Sequence, residues 1–518
     1  MATIFENGNF ISCDEQNTIF SVLVEDQGKI VFTGNKIPHQ YQSAKKIDLQ
    51  KKTVLPAFFD THIHFSSYAF FNLGLDCRNA GDFRELQAII GKYVAQHLEE
   101  KIVLGFGISA HTLKEKRLPT SKDLDKITSH PLLLIKYDGH AAMANEALIS
   151  HLPSVVLEKR GFEKESGQFF QEAFYEVVNY ISKKVSLAKI FTNLVEGSNQ
   201  LIKNGIGSIS SVEGVGIPFD VDLMRFAARG LPINIKTYYQ TMNVQKVLRR
   251  KLDCIGGCFE TALDGCFGSV DAALKEPYNH DISNKGVLYY SQEKVNSFVK
   301  EAHNSGLQMA LHAIGDAAIE QALNAFETAL RENPRKDHRH TIIHAELMDE
   351  KLIARVKKLG ICIALQTPFL HWELEPMEYL QSILGQRTQN FMPLKSMLAA
   401  GILLAGGSDG PTTLPNPIWG IHSACNHPNS AESVEVMDAI KMHTIAGAKI
   451  SFMEKTHGSL QEGKYANFVI LSENILQVEK HHIRDIKIEA TFLRGKLPKN
   501  LSGNNLKYVM DCLIKNKD

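Results

Sequence analysis

The chain has little that would send it to a membrane or a polyanion. No apolar run reaches the roughly 18 residues that a membrane span requires. Lys+Arg and Asp+Glu are equal at 57 each, so no net field recruits nucleic acid or an anionic surface. Met1 to Phe10 lack the basic-then-apolar form of a signal peptide, which makes a cytoplasmic location the expectation. Cysteine is sparse: eight are scattered over 518 residues, which suits free thiols in a reducing compartment better than a disulfide framework. Cys254, Cys258 and Cys266 lie near one another, but only the first two have a zinc-like spacing and no second pair follows. They read as buried thiols. Repeats and low-complexity segments are also missing. With 44% hydrophobic and 22% charged residues, the composition is that of a globular protein long enough for a barrel-sized domain plus additions.

Against this plain background one stretch stands out, Leu55-Pro56-Ala57-Phe58-Phe59-Asp60-Thr61-His62-Ile63-His64. On a strand, residues i and i+2 face the same side, so His62 and His64 can offer two imidazoles to one ion. Among 21 histidines such a spacing also arises by chance, and the pair counts only if later strands end in ligand-type residues.

They do. His312 follows Met309-Ala310-Leu311, and His344 follows Thr341-Ile342-Ile343. Asp409 follows an apolar run ending in Gly406-Gly407-Ser408, and Glu260 lies within Cys258-Phe259-Glu260-Thr261-Ala262-Leu263. The middle of the chain alternates strands with helices, which argues for a parallel α/β sheet or barrel. Strands are expected at 205–212, 232–239, 258–263, 307–311, 340–343, 360–365 and 401–405, with helices at 291–304 and 317–332. In a parallel barrel the strand ends converge on one mouth. Four histidines and two carboxylates there suit a binuclear site in which Glu260 bridges two ions. Asp409 would take the proton of a metal-activated water.

The stretch from about 66 to 200 breaks the alternation and reads as an insertion after the first barrel strand, with helices at 83–99 and 173–182. Residues 1–57 and 452–518 are strand-rich, with a hairpin across Gln27-Gly28, and suggest one small β-sandwich-like domain built from both chain ends. The barrel then occupies 58–451. From about Leu501 the sequence gives no clear signal.

These motifs together resemble the amidohydrolase superfamily and, within it, the YtcJ-like metal-dependent hydrolases of the amidohydrolase 3 type. The matching pieces include Phe58 to His64, Tyr137-Asp138-Gly139-His140 inside the insertion, His312-Ala313-Ile314-Gly315-Asp316, His338 to Ala345, and Gly407-Ser408-Asp409, of which the His312 to Asp316 segment and the long insertion are the specific ones. The resemblance implies a (β/α)8 TIM-type barrel and hydrolysis of a non-peptide carbon–nitrogen bond, an EC 3.5 activity, with one or two divalent ions, zinc being expected. It assigns His62, His64 and Asp409 to one ion and His312 and His344 to a second. Glu260 stands where many relatives have a carboxylated lysine, and Lys236 is the next candidate for that role. His140 would polarise a substrate carbonyl, and His371 and Trp372 would line the pocket. Expected partners are a small-molecule substrate and, optionally, a second copy of the chain. Deamination or isomerisation on the same site, or a non-catalytic scaffold, are the competing readings.

Overall fold

The structure, a computed structural model, describes residues 2–71, 74–214, 220–500 and 505–514. Eight parallel strands pair in chain order: Phe58–Ile63, Ile206–Glu213, Asn234–Tyr239, Cys254–Ala262, Gln308–Ala313, Thr341–His344, Cys362–Leu365 and Leu404–Gly406. Most of their residues are buried, as strands covered on both faces must be. The eighth strand returns to the first through a parallel bridge of Ile63 with Gly410. The Asp409 N–H donates to the His62 carbonyl and the His64 N–H to the Gly410 carbonyl, both at 2.8 Å. The sheet thus closes into a (β/α)8 TIM-type barrel, and the closing bonds are made by residues of the expected site.

The outer helices follow from local sequence. Gln292–Asn304 starts at Ser291, whose hydroxyl accepts from the Lys294 N–H. Glu350–Leu359 starts at Asp349 and stops at Gly360, which takes the left-handed conformation that ends helices. Asp316–Glu332 turns Ala318, Ala322, Ala325 and Phe326 toward the core.

After the first strand come a short helix, Phe65–Phe71, and a six-stranded mixed sheet of its own. Its strand Leu132–Lys136 has both faces covered. Leu133 and Ile135 join one apolar cluster with Phe106, Phe169 and Val177, while Leu132 and Leu134 join another with Leu86, Ile90 and Leu124. The insertion is therefore a folded layer, and its strands Leu132–Lys136 and Ala141–Ala144 flank the turn that carries His140.

The chain ends form two small sheets. One pairs Thr3–Glu6, Val22–Asp26, Lys29–Gly34 and Lys45–Asp48. The other pairs Asn9–Ile11, Ile19–Phe20 and Thr53–Pro56 with Phe468–Leu471 and Ile488–Phe492 from the far end of the sequence. Between them, Phe5, Phe10, Phe468 and Phe492 share one cluster, with Phe468 and Phe492 stacked at 4.8 Å. The segment without sequence signal contains a helix, Asn505–Ile514, which packs on Asp220–Gly230; the Tyr508 hydroxyl donates to the Ala227 carbonyl at 2.7 Å.

Candidate metal centre and substrate cavity

His62 and His64 leave the end of the first strand, His312 the fifth, His344 the sixth, and Asp409 follows the eighth. All five are buried. The His62 and His64 rings lie 5.2 Å apart, His62 and His344 5.4 Å, and His312 and His344 4.5 Å. Asp409 Oδ1 stands 3.0 Å from His62 Nε2 and 3.3 Å from His64 Nε2. Backbone strain accompanies the placement. His344 and Asp409 have φ of 73° and 56°, values that residues with a Cβ rarely adopt and that cluster at functional sites.

The fourth strand departs from simple alternation. It pairs with the fifth as Gly257 with Leu311, then resumes only at Ala262 with His312, so the intervening residues bulge out of register. Gly256 and Gly257 at φ of 112° and 130°, and Phe259 at 50°, make this detour. Glu260 is carried to the exposed side, where its carboxylate accepts from the Met242 N–H at 3.4 Å. It does not join the cluster, contrary to the strand reading of the sequence. Cys258 does: its Sγ is 3.5 Å from His62 Nε2, and it forms close triads with His62 and His64 and with His312 and His344. Lys236 is also elsewhere. Its ammonium meets Asp253, which immediately precedes the fourth strand, at 3.1 Å, and so lies toward the opposite end of the barrel.

The donor set fits a divalent cation. His62 and His64 aim Nε2 at Asp409 Oδ1, while Nδ1 of His62, His64, His312 and His344 is buried without a hydrogen-bond partner. Such groups are costly to bury unless a ligand meets them. His312 shows the preparation most clearly. Its Nε2 lies 3.1 Å from the Gly265 carbonyl, which can only accept, so Nε2 carries the proton and Nδ1 keeps a free lone pair. Burial lowers the pKa of His62, of His312 to about 3, and of His344 well below its usual value, keeping the imidazoles neutral as ligation requires. Burial opposes ionisation of Asp409, but the His62 and His64 nitrogens outweigh it and hold the carboxyl well below the usual range. Behind the cluster, Asp60 accepts from the Ser408 N–H at 3.0 Å and the His62 N–H at 3.3 Å, fixing the first and eighth strands together.

His140 is half-buried and faces the same cavity, close enough to His312 to disfavour its protonation. Its N–H donates to Asp138 Oδ1 at 3.1 Å, and Asp138 is paired with Lys136 at 2.6 Å. Trp372 lines the cavity, but His371 turns away to bond the Asn426 carbonyl at 2.8 Å. Glu346 and Glu375, neither singled out in the sequence, line the cavity. Burial pushes Glu375 up to about 8, and Tyr137 donates to it at 3.1 Å.

The amidohydrolase family model matches residues 45–497. The chain belongs to the amidohydrolase family. Over 95% of its length it is 26% identical to the amidohydrolase YtcJ of Bacillus subtilis, covering 98% of that protein. It is 22% identical to an N-substituted formamide deformylase of Arthrobacter pascens, over 96% of this chain and 98% of the other. In fold it is similar to a metal-dependent hydrolase from Pyrococcus horikoshii, with a TM-score of 0.77 at 23% identity over 93% of this chain and 99% of that one. Family membership thus accords with the donor set already described.

Proposed function

We propose that this family member is a divalent-metal-dependent hydrolase that cleaves an amide-type carbon–nitrogen bond in a non-peptide small molecule. The observation that carries the reading is the buried convergence of His62, His64, Cys258, His312, His344 and Asp409, which form three overlapping triads, each with its ligand atoms within 4.8 Å of one another. His62, His64, Cys258, His312, His344 and Asp409 would hold one or two ions, zinc being expected for a mixed imidazole, thiolate and carboxylate set. When bound, the ion supplies Lewis acidity and brings the pKa of a coordinated water from 15.7 toward about 7.

The chain's own groups supply the rest. Asp409, ionised and buried, accepts a proton from the attacking water and returns it to the departing amine nitrogen. His140 donates a hydrogen bond to the substrate carbonyl oxygen as charge develops there, with Asp138 fixing its turn. The deformylase relative acts on N-substituted formamides by its name, which supports a carbon–nitrogen bond as the point of attack. A cytoplasmic location belongs to the same reading, supported by eight free thiols of which seven are buried.

The test is a turnover screen of N-formyl and N-acyl amines with zinc-loaded protein, before and after removal of metal by a strong chelator. Hydrolysis that disappears on chelation and returns with zinc is expected. Turnover that persists at full rate in metal-free protein contradicts the proposal.

A further inference from the structure

The bulge of the fourth strand does more than bring Cys258 to the ligands. It turns the next residue, Phe259, onto the cavity wall at φ of 50°. A bulky side chain holds that left-handed conformation only where its surroundings impose it, and such strain clusters at functional sites. The Phe259 ring packs edge-on against the His64 imidazole at 5.4 Å and edge-on against Tyr175 at 5.2 Å. Tyr175 comes from the insertion, on the helix Gln171–Ser182, and lines the same cavity. A second row of rings starts from another ligand. Phe369 lies nearly parallel to the His344 imidazole at 6.2 Å, and Trp372 stacks on Phe369 at 4.7 Å with the planes 12° apart. Both also line the cavity.

Two aromatic rows therefore leave the ligand cluster, one completed by the insertion and the other by the segment after the seventh strand. Aliphatic side chains would make an equally apolar wall. What rings add is faces and edges, which attract a flat aromatic partner beyond the area it buries. The acids on the insertion side are already engaged. Asp138 is paired with Lys136 at 2.6 Å, and Glu375 accepts from the Tyr137 hydroxyl at 3.1 Å and from the Gly268 backbone. We propose that the substrate carries a flat aromatic group beside the bond that is cut, seated against these rows, and that Phe259 and Tyr175 set the preference for it. The inference deepens the hydrolytic reading and rests on it only for the bond that is cut.

The experiment is calorimetric titration of the zinc-loaded protein with 2-phenylethanol and 2-cyclohexylethanol. The two carry the same hydroxyl on the same tether, so the metal cluster meets one group in both and the difference reads the wall. Buried area alone favours the cyclohexyl compound, which is the larger and more apolar. The aromatic wall predicts the reverse, with 2-phenylethanol bound roughly threefold to tenfold more tightly. That preference should vanish in Phe259→Leu and in Tyr175→Leu, and Tyr175→Phe, which keeps the ring, should retain it. Equal or tighter binding of 2-cyclohexylethanol to the unaltered protein overturns the proposal, and so does a preference that survives in both leucine variants. The comparison on the unaltered protein needs no variant to fold, and neither probe needs to turn over. If the phenyl compound is preferred and no N-acyl amine is hydrolysed, the aromatic-wall proposal stands and the hydrolytic reading fails.

Discussion

Glu375 shows how a single buried group makes stability depend on pH. Its carboxyl is pushed up to about 8 by burial and by nearby Asp138. In the unfolded chain a glutamate titrates near 4.3. Between those values the folded protein binds the proton and the unfolded chain does not, so stability falls as pH rises through that window. The slope from this one group is at most about 1.4 kcal/mol per pH unit. Replacing Glu375 with Gln should flatten the fall between pH 5 and 8, read as midpoints of urea unfolding at several pH values. Parallel curves for the two proteins would show that Glu375 is ionised in the fold.

Asp409 offers a sharper test at the same scale. Asp409→Asn keeps the shape and removes the proton acceptor, so turnover should fall about 10²–10⁴-fold while the fold remains. Near-native turnover would remove Asp409 from the chemistry. The histidines and Asp409 were legible because each ends an apolar run, which is a signal that survives in one dimension. His371 was not legible as an outward-facing residue, because its neighbour Trp372 faces the cavity and only the backbone after Thr367–His371 decides between them.

The fourth strand is where an element, rather than a residue, decides the site. Strict alternation puts Cys258 and Glu260 on one face, and that rule fails because the strand makes a glycine-driven bulge between Gly257 and Ala262. The signal that could have found it was Gly256-Gly257 itself, since paired glycines inside a strand mark bulges. Two variants separate the readings. Cys258→Ala should lose at least about tenfold in metal affinity, whereas Glu260→Gln should leave metal content and turnover close to those of the unaltered protein. Cobalt-substituted protein gives an independent readout, because a thiolate ligand adds a near-ultraviolet charge-transfer band that Cys258→Ala should abolish. A band unchanged in that variant would exclude the thiol. The bulge also predicts its own fragility. A Cβ at Gly256 would meet the Ala310 carbonyl oxygen at 1.9 Å with φ at +112°, whereas one at Gly463 has nothing within 4 Å. Gly256→Ala should therefore lower the melting temperature well beyond the effect of Gly463→Ala, and equal shifts would contradict the assigned backbone.

Over the whole molecule, six ligand candidates drawn from residues 62 to 409 meet only when the barrel is closed. The barrel, its insertion and the paired end strands were legible because each carries a distinct periodicity. The C-terminal helix Asn505–Ile514 was not, because it is defined by what it packs against, the helix Asp220–Gly230, and not by a pattern of its own. Since the cluster exists in the folded chain and not in the unfolded one, metal should stabilise the fold by mass action, about 4 kcal/mol at a thousandfold excess over the dissociation constant. Chelation should lower the melting temperature and added zinc restore it. The most direct measurement is the metal content of the purified chain, expressed with zinc supplied and analysed for its elements. One or two divalent ions per chain are expected, with a clear loss in His62→Ala and His344→Ala; a wild-type protein free of divalent metal would contradict the account.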